Sequence, residues 1–170
     1  MNPRPHPLRR SLLCAAALSV VWPGRAAEVG QSAPPFSLPG RDGTITLAAL
    51  HGKVVFLDFW ASWCVPCRQS FPWMNQMQAR YAARGLHVLA INVDKQRAEA
   101  DAFLVKIPAQ FAIAFDAPGD TPRAYGVKGM PTSLLIGADA SVLHQHAGFR
   151  DDDKGSLEAK IVAALVRAGR

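Results

Sequence analysis

The sequence predicts a single α/β domain in which helices flank a central mixed β-sheet. Two nearly continuous apolar runs, "VVFLDF" and "LHVLAINVD", each precede a stretch with helical spacing, which indicates parallel strands joined by helices. Near the end, two further strand-like runs flank a short turn, and such a hairpin adds antiparallel strands to the sheet. A chain of 170 residues, 49% of them hydrophobic, suits one globular domain.

Residues 1–26 are typical of a secretory signal peptide. A start with three arginines is followed by an apolar run from Leu12 to Trp22, and small residues precede the expected cleavage after Ala26. The apolar run is shorter than the roughly 20 residues that span a bilayer, which favours cleavage over an uncleaved membrane anchor. We therefore expect export to the periplasm and one folded domain at residues 27–170.

Export changes how the charge and the cysteines are interpreted. Loss of the four signal-peptide arginines leaves 15 basic against 13 acidic residues, so the sequence pI of 9.7 does not indicate a nucleic-acid partner. Cys14 is expected to leave with the signal peptide. Only Cys64 and Cys67 then remain, in a compartment where disulfides persist.

The first half of the domain predicts a flap, a strand and a helix. In "QSAPPFSLPGRDGTITLAALHGK", Pro-Gly and Asp-Gly signals indicate a small antiparallel flap that ends in a helical turn. The run "VVFLDF" then predicts a strand buried on both faces, apolar except for Asp58. From Val65 to about Arg84 the spacing is helical, and Gly85 is placed to end the helix. The expected buried face of this helix contains Phe71, Met74 and Tyr81.

The second half predicts a strand, an inserted helix and a hairpin. "LHVLAINVD" reads as a buried strand, and "KQRAEADAFLVK" as an exposed helix that directs Ala98, Ala102 and Phe103 inward. A short strand "FAIAF" and a helical turn "GDTPRAYGV" lead to the hairpin, whose turn lies at residues 137–140. The last helix is expected to begin at a Ser156 cap. Its inward face contains Leu157, Ile161, Ala164 and Leu165.

Cys64 and Cys67 stand three positions apart, between the first buried strand and its helix. Unpaired N–H groups at a helix N-terminus favour a negatively charged sulfur, so Cys64 is the expected attacking thiolate. Cys67 lies one turn further in, and we expect it to attack the mixed disulfide at Cys64. Pro66 stiffens the turn between them. A lone C-x-x-C beside a strand–helix–strand pattern predicts redox chemistry.

Three other uses of this cysteine pair remain open. A static disulfide is one, although so short a loop contributes little chain-entropy stabilisation. A structural zinc site needs about four ligands, and no second cysteine pair supplies them, while His144 and His146 are more typical of surface histidines. A Cu(I) carrier that uses both thiolates, with or without a histidine, is the third alternative.

Two charged residues beside the cysteines each allow two interpretations. Burial raises the pKa of a carboxyl group, so Asp58 is a candidate proton acceptor for Cys67, or else a carboxylate held by hydrogen bonds. Arg68 is placed to favour the Cys64 thiolate or to attract an acidic partner. The alternative for Arg68 is a solvated arginine on the helix face.

With these residues in view, the chain resembles the thioredoxin superfamily. "VVFLDFWASWCVPC" is similar to the thioredoxin strand and active-site motif, and "GMPTS" is similar to its cis-proline loop. The chain is most similar to the TlpA/ResA-type exported thiol-disulfide oxidoreductases, which include DsbE-like proteins. They share the "PPFSL…DG" flap, the W-C-x-P-C motif and an extra helix after "INVD". The resemblance covers nearly the whole mature chain and implies the thioredoxin fold.

The resemblance also implies a substrate-binding surface around the cysteines. It implies a cis bond before Pro131, which faces the cysteine pair, while Met130 presents its backbone to an extended substrate segment. Trp63 is expected as a hydrophobic lip, with Pro66 in the same surface. In one departure, relatives carry a glutamate that tunes thiol acidity where this chain has Ser70, so that tuning cannot be carried over.

We therefore expect a thiol-disulfide oxidoreductase that reduces disulfides of exported proteins through a Cys64/Cys67 cycle. The resemblance implies re-reduction by a membrane thiol donor, and substrates of the cytochrome c maturation or copper-site assembly type. No bound cofactor is required, and we expect a monomer with no nucleic-acid partner. A thiol peroxidase is the alternative enzyme, but Ala61 stands where that class has a threonine, three residues before the cysteine.

Overall fold

The structure is a computed structural model that describes residues 27–170. The predicted signal peptide and Cys14 lie outside the described residues. Within residues 27–170, no helix combines the length and the apolar character needed to cross a bilayer.

Seven strands and four α-helices make up the described chain. The strands are β1 (Ser37–Pro39), β2 (Thr44–Thr46), β3 (Val54–Trp60), β4 (Leu86–Asn92), β5 (Ala112–Phe115), β6 (Thr132–Ile136) and β7 (Val142–Ala147). The helices are α1 (Cys67–Tyr81), α2 (Arg97–Lys106), α3 (Asp120–Ala124) and α4 (Asp153–Arg167). This order confirms the predicted succession of flap, strand, helix, strand, inserted helix, short strand, hairpin and final helix.

The central sheet has the strand order β5-β4-β3-β6-β7. β3, β4 and β5 run parallel, while β6 is antiparallel to both β3 and β7. The predicted mixed sheet with a hairpin at its edge is therefore confirmed. β1 and β2 form the separate antiparallel flap, and a 3-10 turn at Ala48–Leu50 follows it, as predicted.

β3 is buried along its whole length and divides the core into two layers. Val54, Phe56 and Trp60 face the layer that contains the apolar sides of α1, α2 and α4. The alternate residues of β3 face a second layer, under the N-terminal segment and Tyr125. Because successive strand residues point to opposite faces, Asp58 shares the face of Phe56 and Trp60, on the side of α1.

The helix after the cysteines has the predicted buried face and ends as predicted. α1 continues into a 3-10 turn at Ala82–Arg84, and Gly85 follows it with a φ of 90°. This left-handed conformation suits glycine, because a side chain there is sterically disfavoured. The predicted inward residues Phe71, Met74 and Tyr81 are all buried.

Two details of the later helices differ from the predictions. α2 buries Ala100 and Phe103, whereas Ala98 and Ala102 are exposed. The prediction placed the apolar stripe on the wrong alanines, since Ala100 and Phe103 lie at the i, i+3 spacing of one face. α4 begins at Asp153 rather than at Ser156, whose hydroxyl donates instead to the Asp153 carbonyl.

Candidate active site

The loop from β3 to α1 carries the cysteines to the carboxyl edge of the parallel strands. The Trp60 carbonyl, at the end of β3, accepts a hydrogen bond of 3.0 Å from the Val93 N–H, just after β4. The Cys64 N–H donates to the Ala61 carbonyl at 3.0 Å, which closes a tight turn before the helix. The cysteine loop is therefore anchored at the end of two adjacent buried strands.

Cys64 and Cys67 are joined by a disulfide, with their Cα atoms 5.4 Å apart. Both side chains are buried, with only 2% of Cys64 and none of Cys67 exposed. The Cys67 N–H, at the first residue of α1, lies 3.3 Å from Cys64 Sγ and donates to it. The sulfur of Cys64 thus accepts one of the helix's unpaired N–H groups, a contact that also stabilises a thiolate there.

The residues that flank Cys64 form an apolar surface. Trp63 is 67% exposed and Val65 is 66% exposed, on either side of the buried cysteine. Pro66, with a φ of −64°, leads directly into α1. The exposed side chains of Trp63 and Val65 therefore place an apolar surface directly beside the buried disulfide.

Asp58 lies on β3 with 2% of its surface exposed. No hydrogen-bond donor among residues 27–170 reaches its Oδ2 atom. Burial raises the pKa of the Asp58 carboxyl well above its usual range. Of the two predicted interpretations, a carboxylate held by hydrogen bonds does not describe this oxygen.

The hydroxyl of Ser70 takes the position where relatives were expected to carry a glutamate. Ser70 is buried, and its Oγ donates to the Cys67 carbonyl at 3.1 Å. A neutral hydroxyl therefore stands one turn beyond the cysteine pair, and Asp58 supplies the buried carboxyl on the α1 side of the sheet.

An aromatic cluster fixes α1 and α2 against the end of β3. The ring of Phe71 packs edge-to-face with Trp60 at 4.9 Å, with Phe103 at 5.1 Å and with Phe111 at 5.3 Å between centroids. Trp60 and Phe103 are themselves 4.7 Å apart. The inserted helix α2 is thereby held close to the cysteine loop.

The peptide bond between Met130 and Pro131 is cis, as the resemblance implied. Pro131 directly precedes β6, whose first residue, Thr132, pairs with Phe59 of β3. Pro131 therefore lies at the same end of the sheet as the loop that carries Cys64. Met130 is half-buried and packs against the core.

A buried carboxylate, which the sequence reasoning missed, ties this loop to β4. Asp94 is 4% exposed, and its Oδ2 accepts hydrogen bonds from the Ser62 N–H at 2.9 Å and from the Asn92 side chain at 2.8 Å. Its Oδ1 accepts from the Ser62 hydroxyl at 3.1 Å. Ser62 is two residues before Cys64. Its position just after a buried parallel strand is the signal that could have identified Asp94, since functional groups gather at that edge of a sheet.

The two hairpin histidines are less exposed than predicted. His144 and His146 are half-buried on β7 with their rings 6.4 Å apart, and His146 Nε2 lies 3.3 Å from Asp153 Oδ2. Across residues 27–170, no three His, Cys, Asp or Glu side chains cluster so as to hold a metal ion.

Comparison with known proteins identifies the family. The profile of the AhpC/TSA family matches residues 29–145. The chain is 32% identical over 153 residues to the thiol-disulfide oxidoreductase ResA of Bacillus thuringiensis, across 86% of this chain and 87% of that protein. It is 31% identical over 137 residues to ResA of Bacillus subtilis, across 78% of this chain and 76% of that protein.

A solved structure extends the similarity to three dimensions. The thiol:disulfide interchange protein described as DsbE from Chlorobium tepidum is 57% identical, with a TM-score of 0.81, and the match covers 82% of this chain and 99% of that one. These similarities confirm the resemblance and the thioredoxin-like fold. The chain therefore belongs to the AhpC/TSA family and is a thiol-disulfide oxidoreductase of the ResA and DsbE type, carrying the Cys64–Cys67 pair.

Proposed function

We propose that this oxidoreductase works in the reducing direction on disulfides of exported proteins in the periplasm. The observation that most supports thiol-disulfide exchange with a protein is the contact of Cys64 Sγ with the Cys67 N–H, at a buried pair flanked by the exposed Trp63 and Val65. Such a surface suits a protein partner better than a small oxidant. The reducing direction rests on the resemblance to TlpA/ResA-type proteins, because a stabilised thiolate by itself makes a dithiol pair more oxidising. The proposed partners are apocytochrome c cysteines or copper-site assembly proteins, and this choice rests on the resemblance to TlpA/ResA-type proteins.

In the proposed cycle, the Cys64 thiolate attacks one sulfur of the partner disulfide. A mixed disulfide forms, and the partner's other sulfur leaves as a thiolate that takes up a proton. The Cys67 thiolate then attacks Cys64 Sγ, breaks the mixed disulfide and releases the second partner thiol. Two electrons have passed to the partner, and the Cys64–Cys67 disulfide returns until a membrane thiol donor reduces it.

The remaining residues have proposed roles that follow from their positions. Asp58 accepts the proton of Cys67 before the second step, since burial raises the pKa of its carboxyl and makes it a stronger base than an exposed carboxylate. Pro131 and Met130 shape the groove that receives an extended segment of the partner, at the sheet edge shared with Cys64. Trp63 and Pro66 form the opposite side of that surface.

Trapping tests the order of the two cysteines. We expect the Cys67→Ser variant to accumulate a mixed disulfide through Cys64, because the resolving thiol is absent. Cys64→Ser should neither trap nor reduce a partner disulfide. A trap that forms through Cys67 in the Cys64→Ser variant would reverse the assignment. Partners recovered from the Cys67→Ser trap in a periplasmic extract are identified by mass spectrometry, and the mass of the protein itself tests cleavage after Ala26.

The reduction potential tests the direction of electron flow. Equilibration of the purified protein with glutathione or dithiothreitol mixtures is followed by tryptophan fluorescence, since Trp63 directly precedes Cys64 and Trp60 belongs to the same core cluster as both cysteines. A reduction potential of about −270 mV supports a reductase, whereas one of about −120 mV indicates an oxidant that forms disulfides.

The two alternative functions are separated by direct assays. A thiol peroxidase would consume peroxide rapidly even as Cys67→Ser, but the Ala61 position lacks the threonine of that class. A Cu(I) carrier would bind the metal tightly when reduced, which titration of the reduced protein against a competing chelator measures. Neither alternative gains support from a specific contact in the described residues.

A further inference from the structure

A pocket of about 300 Å³ opens between the cysteine loop, α1 and α2. We call it the α1–α2 pocket; its lining residues are Ser62, Arg68, Glu99, Ala102, Phe103, Lys106 and Ile107. Ser62 places the pocket two residues from Cys64. The aromatic packing of Phe103 against Trp60 and Phe71 holds α2 beside the cysteine loop.

The floor of the pocket is apolar and its rim is charged. Phe103 is 6% exposed and Ile107 is half-buried, so they form the floor, while the side chains of Arg68, Glu99 and Lys106 are exposed. None of these three charged groups forms a salt bridge within residues 27–170. By contrast, the neighbouring Arg97 and Asp101 on α2 pair with each other.

The unpaired charges leave the pocket with one excess positive charge. Arg68 projects from α1 and Lys106 from the last turn of α2, around a space only about 300 Å³ in volume. Glu99 lies seven residues before Lys106, which is roughly 10 Å along a helix axis. A carboxylate on a short aliphatic stem fits this arrangement, with its stem on Phe103 and its charge toward the two cations.

We propose that the α1–α2 pocket is a subsite for an aspartate or glutamate side chain of the partner polypeptide, adjacent to the partner's reactive disulfide. This proposal rests on the proposed function, because it requires a polypeptide as the substrate. In this proposal Lys106 and Arg68 attract the carboxylate of the partner, and Glu99 repels it and so weakens the preference for an acidic residue. The inserted helix thereby contributes to specificity as well as to the core.

Matched peptides test the subsite. Each synthetic peptide contains one intramolecular disulfide and differs only in the residue beside its first cysteine, which is Glu, Gln or Lys. The reduced protein is regenerated with dithiothreitol, and kcat/KM is measured for each peptide. We expect the Glu peptide to exceed the Gln peptide by about threefold, the size of an exposed ion pair, and the Lys peptide to be the poorest. The preference should shrink at high salt.

Substitutions at the rim should change this preference in opposite directions. Lys106→Gln should bring the Glu-to-Gln ratio close to one, and Glu99→Gln should raise it above the ratio of the unaltered protein. Lys160→Gln, on α4 and remote from the pocket, is the matched control and should leave the ratio unchanged. Because Glu99→Gln predicts a gain, loss of folding in one variant does not imitate the expected pattern.

The outcomes separate the subsite from the function on which it rests. Equal kcat/KM for the three peptides, or the same loss of preference in Lys160→Gln as in Lys106→Gln, overturns the subsite and leaves the reductase intact. If the unaltered protein reduces neither the peptides nor the neutral 2-hydroxyethyl disulfide, the proposed function itself fails.

Discussion

The buried carboxyl of Asp58 makes folding stability fall with rising pH, and Asp58→Asn should remove that dependence. Burial raises the pKa of Asp58 in the folded protein, whereas the unfolded chain has an ordinary value of about 3.9. Between these two values the folded state binds more protons than the unfolded state. The free energy of unfolding therefore decreases as pH rises through this window, and the loss is complete above the folded pKa.

The size of the effect follows from a single proton. One proton bound only by the folded state gives a slope of at most about 1.4 kcal/mol per pH unit. The total loss is about 1.4 kcal/mol for each unit by which the folded pKa is raised. Asparagine has nearly the same volume and no charge, so the variant avoids this loss. Its stability relative to the unaltered protein should increase from acid to neutral pH.

Urea unfolding of both oxidised proteins from pH 3 to pH 9 measures this difference. Asp42→Asn is the matched control, because Asp42 is exposed and its loss should leave the slope unchanged. Parallel stability curves for the Asp58→Asn and unaltered proteins would refute the reasoning, since they would mean that the Asp58 carboxyl binds no extra proton on folding. If the stability of Asp58→Asn relative to the unaltered protein decreased as pH rises, the pKa of Asp58 would be lowered on folding rather than raised.

Three further substitutions test the packing around the site. Asp94→Ala leaves the Ser62 N–H and the Asn92 amide without their acceptor, which should lower the free energy of unfolding by about 1–3 kcal/mol for each group and slow attack by Cys64. Unchanged stability in urea together with an unchanged stopped-flow rate of disulfide reduction would contradict this, and Asp101→Ala, at an exposed position, is the control. Phe71→Ala removes a fully buried ring that contacts three others and should lower the free energy of unfolding in urea by about 3–5 kcal/mol, with a smaller loss for Phe71→Leu. Equal losses for the two variants would mean that the aromatic contacts add no stability. Tyr125→Phe removes the hydroxyl that donates to the Pro34 carbonyl at 2.7 Å and should cost about 1 kcal/mol by the same measurement; no cost would mean that water replaces this bond without loss.

Helix boundaries and helix phase show where sequence reasoning was weakest. On α2, several alanines lie close together, and alanine has too little apolar surface to indicate which face is buried. Packing of Phe103 against Trp60 decides the phase, and it places Ala100 inside rather than Ala98 or Ala102. The start of α4 was misplaced because the three consecutive aspartates before Ser156 can also begin a helix.

The sequence by itself determined the order of strands and helices and the redox pair. Apolar periodicity and the C-x-x-C spacing involve residues that are close together in the sequence, so they can be recognised without knowledge of the fold. The tertiary structure alone decided which distant residues meet at the cysteines. Asp94 reaches Ser62 across 32 positions, and Lys106 lines one pocket with Arg68. Periodicity reports which face of an element is apolar, but not which element lies beside it, and that choice belongs to the packing of the whole chain.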